Sequence, residues 1–142
     1  MIKPIETEEE IVTIYPVAKQ LRTHLDEDTF LELVLEAQVK QGYHMLGCYL
    51  EDKPVSFIGF MPMTTLYYGR FIWICDLVTD EQFRSKGYGK QLLTYVEEWS
   101  KEKGYHSVAL SSGLSREDAQ RFYEDKMNYE KVSYVYKRVL KK

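Results

Sequence analysis

A chain of 142 residues is long enough to bury the core of one domain without disulfide or metal staples. Its 44% hydrophobic and 29% charged residues are those of an ordinary globular protein, and a net charge of −3 argues against a general nucleic-acid binder, whose footprint is basic. Cys48 and Cys75, the only cysteines, stand in no zinc-like spacing, so no metal is expected and both read as small buried hydrophobes in a reducing compartment.

The N-terminus MIKPIETEEE lacks the charged-then-apolar order of a signal peptide. No apolar run approaches the roughly 20 residues that span a bilayer. A cytoplasmic protein with no membrane or nucleic-acid partner is expected. No repeat or linker interrupts the chain, so residues 1–142 are read as a single domain.

A short strand is expected at Ile2. Thr7 and Glu10 then form a capping-box pattern, and Ile11, Ile14, Ala18 and Leu21 recur at helical spacing. Pro16 is expected to kink or divide this helix, because its ring clashes with the preceding turn. A second helix starts near Asp28, with Phe30, Leu31, Val34, Leu35 and Val39 on one side and Gly42 as its stop. Residues 43–50, 55–63 and 70–79 are rich in β-branched and aromatic residues and read as three antiparallel strands, separated by the turn-like EDKP and TTLYYG.

A third helix is expected from Gly87 to Lys103, with Leu92, Leu93, Val96 and Trp99 inward and Gly104 closing it. A short strand at His106–Ser111 follows. Ser115 and Asp118 open a further helix through Ala119, Phe122 and Tyr123, and Val132, Tyr134 and Tyr136 alternate with polar residues in a last strand. The expected order is β-α-α-β-β-β-α-β-α-β, an α/β (α+β) fold with a mixed central sheet flanked by helices.

The stretch FRSKGYGKQLL, at the doorway of the third helix, combines two glycines with three cations. The first N–H groups of a helix have no intrahelical partner, and the aligned peptide dipoles leave partial positive charge there. Gly87 and Gly89 remove the side chains that would hold an anion away, and Arg84, Lys86 and Lys90 add charge. Together they suit a phosphate or pyrophosphate. The P-loop pattern fails, with Gln91 after Gly89-Lys90 and Arg84 where its first glycine belongs, and the dinucleotide fingerprint fails at Leu92. A helix start that merely carries glycine and surface lysines stays open beside the anion-binding reading.

The pattern R-x-x-G-x-G, set by Arg84, Gly87 and Gly89 after the apolar strand ending DLVTDEQF, resembles the acetyl-CoA pyrophosphate loop of the GNAT superfamily of N-acetyltransferases. The stretch SSGLSREDAQRFYEDKMNYEKVSYVYKR resembles that family's second signature, with Asn128-Tyr129 where many members have Gly-Phe. The element order also matches, so the resemblance covers nearly the whole chain. It implies that acetyl-CoA is the co-substrate and that no metal is needed. Backbone groups of Leu77, Val78 and Thr79 would pair with the pantetheine arm. Those of Arg84, Ser85, Lys86, Gly87, Tyr88, Gly89 and Lys90 would hold the pyrophosphate.

The implied chemistry is direct attack of a neutral amine on the thioester. An N–H near Val78 would stabilise the oxyanion, an effect typically worth about 3 kcal/mol. Tyr123 matches the family's tyrosine acid, and a phenol with a pKa of about 10 is protonated at neutral pH. Packing of an aromatic pair with Phe122 is its alternative. Asp76 stands at or beside the position where many relatives carry a carboxylate base, with Cys75 in the preceding position, acidic in several of them; the alternative has Asp76 satisfying backbone amides. Water relays through Tyr67, Tyr68 or His106 stay open. The acceptor, a small-molecule or peptide amine, would sit among the first two helices, the loop LRTHLDEDTF and the YYG turn. Asp26, Glu27 and Asp28 there either attract a cation or serve a helix start. A CoA-binding sensor with little turnover and a longer acyl donor are the rival functions. A homodimer is the assembly common among such relatives.

Overall fold

The computed structural model describes residues 1–141 and divides into two compact units, one over Met1–Leu110 and one from Ser111 onward. In the first, five strands form one sheet in chain order: β1 (Ile2–Ile5), β2 (His44–Leu50), β3 (Lys53–Thr65), β4 (Gly69–Thr79) and β5 (Ser107–Leu110). The first four pair antiparallel, and β5 joins β4 in parallel. Three helices accompany them: α1 (Glu8–Ala18), α2 (Glu27–Gln41) and α3 (Tyr88–Glu102).

Local signals set the helix limits. Thr7 and Glu10 form the full reciprocal capping box of α1, and Asp26 caps α2 through the Thr29 N–H at 2.8 Å. Gly42, with φ of 66°, ends α2 in the left-handed conformation that glycine adopts freely. Pro16 does not divide α1, which continues to Ala18; the proline stands so near the end that few ladder bonds remain to be lost.

Strand alternation sends side chains to two faces. Ile5, Met45, Phe57 and Val78 meet Ile11, Ile14, Val17, Phe30 and Val34 of α1 and α2 in one buried cluster. Leu92, Leu93 and Val96, all fully buried, are the inward stripe of α3, and Trp99 of the same helix packs edge-on against Phe60 with ring centroids 5.2 Å apart. Burying side chains of this size stabilises by roughly 1.5–3 kcal/mol each. Among the described residues no helix is long and apolar enough to cross a membrane.

The second unit holds α4 (Glu117–Arg121), a π-helical turn (Phe122–Lys126) and an irregular segment beyond it. No side chain caps α4, whose N-cap is Arg116, so the expected start at Ser115 is not used. The strand expected around Val132, Tyr134 and Tyr136 does not form. Those three side chains are 57%, 71% and 91% exposed, and among the described residues no strand pairing involves one after Leu110. An alternating pattern supplies an apolar face, but a strand is held by a neighbour's ladder and by the surface it covers. The mixed α/β class stands, with the observed order β-α-α-β-β-β-α-β-α.

Candidate active site

The connection from β4 to α3 is built to leave amides unpaired. Asp80 closes a short 3-10 turn (Glu81–Phe83), accepting the Gln82 N–H at 3.0 Å, and Arg84 donates through Nε to the Thr79 carbonyl at 3.2 Å. Ser85 and Gly87 then take positive φ values of 65° and 90°. The first ladder bond of α3 runs from the Gln91 N–H to the Gly87 carbonyl at 3.0 Å, so Tyr88, Gly89 and Lys90 have no carbonyl behind them within the helix. α1 and α2 both have a capping side chain and first-turn acids, whereas α3 has neither. An anion fits there: donors converge, the dipole is positive, and Arg84, Lys86 and Lys90 flank it on exposed positions. At Gly87 a Cβ would meet nothing, so glycine is required by its backbone conformation alone.

The adjoining strand has an open edge. β4 pairs with β5 only from Phe71 to Ile74, because β5 ends at Leu110. Against β3 the register jumps from Phe60↔Ile74 to Gly59↔Asp76, which leaves Cys75 as an extra, bulged residue at the point where the parallel pairing stops. Beyond the bulge the backbone alternates. The Val78 carbonyl accepts the Ser56 hydroxyl at 3.0 Å and the Asp80 N–H donates to Val55 at 2.8 Å, so these residues turn toward β3. Leu77 and Thr79 therefore direct their amide groups to the open edge. Near Val78 the N–H groups facing the open edge are thus those of its neighbours, Leu77 and Thr79.

Asp76 is tightly engaged. Arg22, in the turn after α1, places Nε 3.0 Å and Nη2 2.9 Å from Oδ1, and the same Nη2 donates to the Cys75 carbonyl at 2.9 Å. The Tyr43 hydroxyl donates to Oδ2 at 2.7 Å. Asp76 keeps 19% of its side chain exposed, so the carboxylate is reachable from solvent. Burial, and then the Asp76 carboxylate, hold the Tyr43 phenol well above its ordinary range. The same two causes push the Cys75 thiol up to about 12. Both groups are therefore neutral at neutral pH. Gln20, beside Arg22 in the same turn, accepts the Glu81 N–H at 2.9 Å and so ties this turn to the connection before α3.

The YYG turn and His106 lie elsewhere. Asp76 lies seven positions beyond Gly69 along β4, about 23 Å of strand. His106 hydrogen-bonds the Arg70 carbonyl through its N–H and has its ring beside Gly69, at that far end. Asp26 spends one carboxylate oxygen on capping α2. In the second unit, Tyr123 stands on the π-helical turn, its carbonyl accepting the Tyr129 N–H at 2.8 Å and its ring 5.3 Å from that of Phe122. π-Helical turns recur at functional positions.

Tyr43 and Gly59 were not among the residues expected from the sequence, and Arg22 was expected only as part of the loop LRTHLDEDTF around the acceptor, with no link to Asp76. Arg22 sits in a turn with no motif, and Tyr43 reads as the first residue of a strand. Nothing local connects either to Asp76.

An acid-free helix start beside a strand with an open edge suits an extended ligand, anionic at one end and amide-bearing along its length. The chain belongs to the acetyltransferase (GNAT) family, whose profile matches residues 7–129, and it is an N-acetyltransferase. An uncharacterized N-acetyltransferase of Bacillus subtilis strain 168, YhdJ, is 39% identical over 137 residues, covering 96% of each chain. The fold is similar to that of a transcriptional regulator from Bacillus halodurans C-125, with a TM-score of 0.86, 20% identity and 99% of each chain covered. It is also similar to the aminoglycoside N-acetyltransferase AAC(6')-Iy in complex with CoA, with a TM-score of 0.82, 18% identity and coverage of 99% of this chain and 94% of that one.

Proposed function

We propose that residues 1–142 act as one cytoplasmic domain that transfers an acetyl group from acetyl-CoA to a primary amine of a small molecule or peptide by direct attack. The observation that carries this reading is the uncapped first turn of α3, which leaves the N–H groups of Tyr88, Gly89 and Lys90 to an external anion. The backbone from Arg84 to Lys90 holds the diphosphate. Leu77 and Thr79, flanking Val78, pair with the amide-bearing arm along the open edge of β4, and one of their N–H groups receives the oxyanion. When bound, acetyl-CoA supplies an activated acetyl thioester.

Asp76 takes the proton of the attacking amine, directly or through water. An amine with a pKa of about 10.4 is almost wholly protonated at neutral pH, so such an acceptor is needed. Tyr123 gives a proton to the departing sulfur. A small-molecule amine acceptor is in keeping with the aminoglycoside enzyme of similar fold. The hydrogen bonds that already occupy both oxygens of Asp76 favour a second reading, a CoA-binding regulatory domain with little turnover.

Acetyl-CoA is expected to raise the melting temperature, and Gly89→Glu, which puts a carboxylate among the free amides, to abolish the rise. An unchanged rise in that variant removes the loop from the proposal. A panel of primary amines, with thiol release as the readout, separates the two readings: release above the no-amine rate identifies the enzyme, and binding without release the regulator.

A further inference from the structure

We infer that Tyr43 and Arg22 are positioning residues that hold the Asp76 carboxylate in one orientation, aimed where β4 parts from β5. Their catalytic meaning rests on the proposed role of Asp76 as proton acceptor; their hold on its side chain does not. The bulge at Cys75 is the starting point. It frees the Cys75 carbonyl to accept from Arg22 Nη2 and sets Asp76 opposite Gly59 in the register.

Tyr43 reaches Asp76 from the other side of β3, and only because Gly59 has no side chain. A Cβ at Gly59 would lie 1.9 Å from the Tyr43 hydroxyl oxygen. The root of Tyr43 is fixed as well, since its N–H donates to the Ala37 carbonyl at 3.2 Å across the turn that ends α2. A phenol on one oxygen and a guanidinium on the other leave the carboxylate little rotational freedom. Both donors are fixed in turn, Arg22 by its second bond to the Cys75 carbonyl and Tyr43 by its burial.

The two partners differ in kind. Tyr43 is buried, whereas the Arg22 side chain is 41% exposed and its charge is partly screened by solvent. The groups that face Asp76 are Arg22 from the turn after α1, Tyr43 from the junction of α2 and β2, and Cys75 on its own strand. The thiol, neutral at neutral pH, adds no charge. The carboxylate is therefore already directed when the amine arrives.

Three-bond couplings that report the Asp76 side-chain rotamer, measured by NMR in the isotope-labelled full chain and assigned through Asp76→Asn, read this directly without any acceptor. Tyr43→Phe and Arg22→Gln should each replace the couplings of a single rotamer by averaged ones, with Arg22→Lys intermediate. Couplings that stay those of one rotamer in Arg22→Gln and Tyr43→Phe, or in the soluble one of the two if the other fails to fold, overturn the inference. The loss of kcat, measured with the best amine of the panel, should follow the same order with the acetyl-CoA thermal shift unchanged. If the couplings average while Asp76→Asn turns over normally, the positioning stands and the assignment of Asp76 as the base falls.

Discussion

The hydroxyl of Tyr43 occupies the place that a methyl group on Gly59 would need: the two would be 1.9 Å apart, and the ring carbon bearing the hydroxyl 2.5 Å away. The neighbour in the way is a buried ring held at its far end by Asp76, not the loose tip of a flexible chain. Gly59→Ala must therefore expel the ring, lose its bond to Asp76, or bend β3. Overpacking of this kind costs about 1–3 kcal/mol, and stranding the buried phenol costs about 1–3 kcal/mol more. Urea unfolding should show a loss of about 3 kcal/mol. In a Tyr43→Ala background the same change should cost well under 1 kcal/mol, since the obstacle is gone. Equal losses in both backgrounds would mean that the strand backbone, not the ring, requires glycine.

Tyr123 is tested by separating binding from turnover. Tyr123→Phe keeps the ring that packs against Phe122, with centroids now 5.3 Å apart, and removes only the hydroxyl. A single general acid contributes about 100- to 10,000-fold. The expected result is a fall in kcat of that size with the acetyl-CoA thermal shift unchanged. Full activity would reassign Tyr123 to packing.

Alkaline pH should weaken the protein through Cys75 and Tyr43. Both have folded-state pKa values raised by burial and by the Asp76 carboxylate, so each binds its proton more tightly folded than unfolded. The stability this contributes is complete below the unfolded pKa and disappears as pH rises through the folded one. For the thiol the window runs from about 9 to about 12. Urea midpoints measured across that window should fall more steeply in the wild type than in Cys75→Ala. Parallel curves would show that the thiol ionises alike in both states.

Short-range signals made much of the fold legible. The capping box of Thr7 and Glu10, the left-handed stop at Gly42 and the apolar stripe of Leu92, Leu93 and Val96 are each written within a few consecutive residues. The glycine-rich entry to α3 is of the same kind, since its unpaired amides follow from where the helix begins. The last strand was misread for the opposite reason. Val132, Tyr134 and Tyr136 carry the right alternation, but a strand also needs an edge to pair with, and alternation says nothing about that.

Around Asp76 the sequence determined that a carboxylate would stand in β4, just ahead of the glycine-rich turn, because both belong to one continuous stretch of chain. Only the tertiary structure decided what that carboxylate touches. Arg22 and Tyr43 lie 54 and 33 positions from it, and Gly59 faces it through a register shifted by the bulge at Cys75. Such relationships arise when strands pair and a turn folds over them, and a one-residue change of register would undo them all. The residues next to Asp76 in the chain set its address; those brought to it across the sheet set its partners.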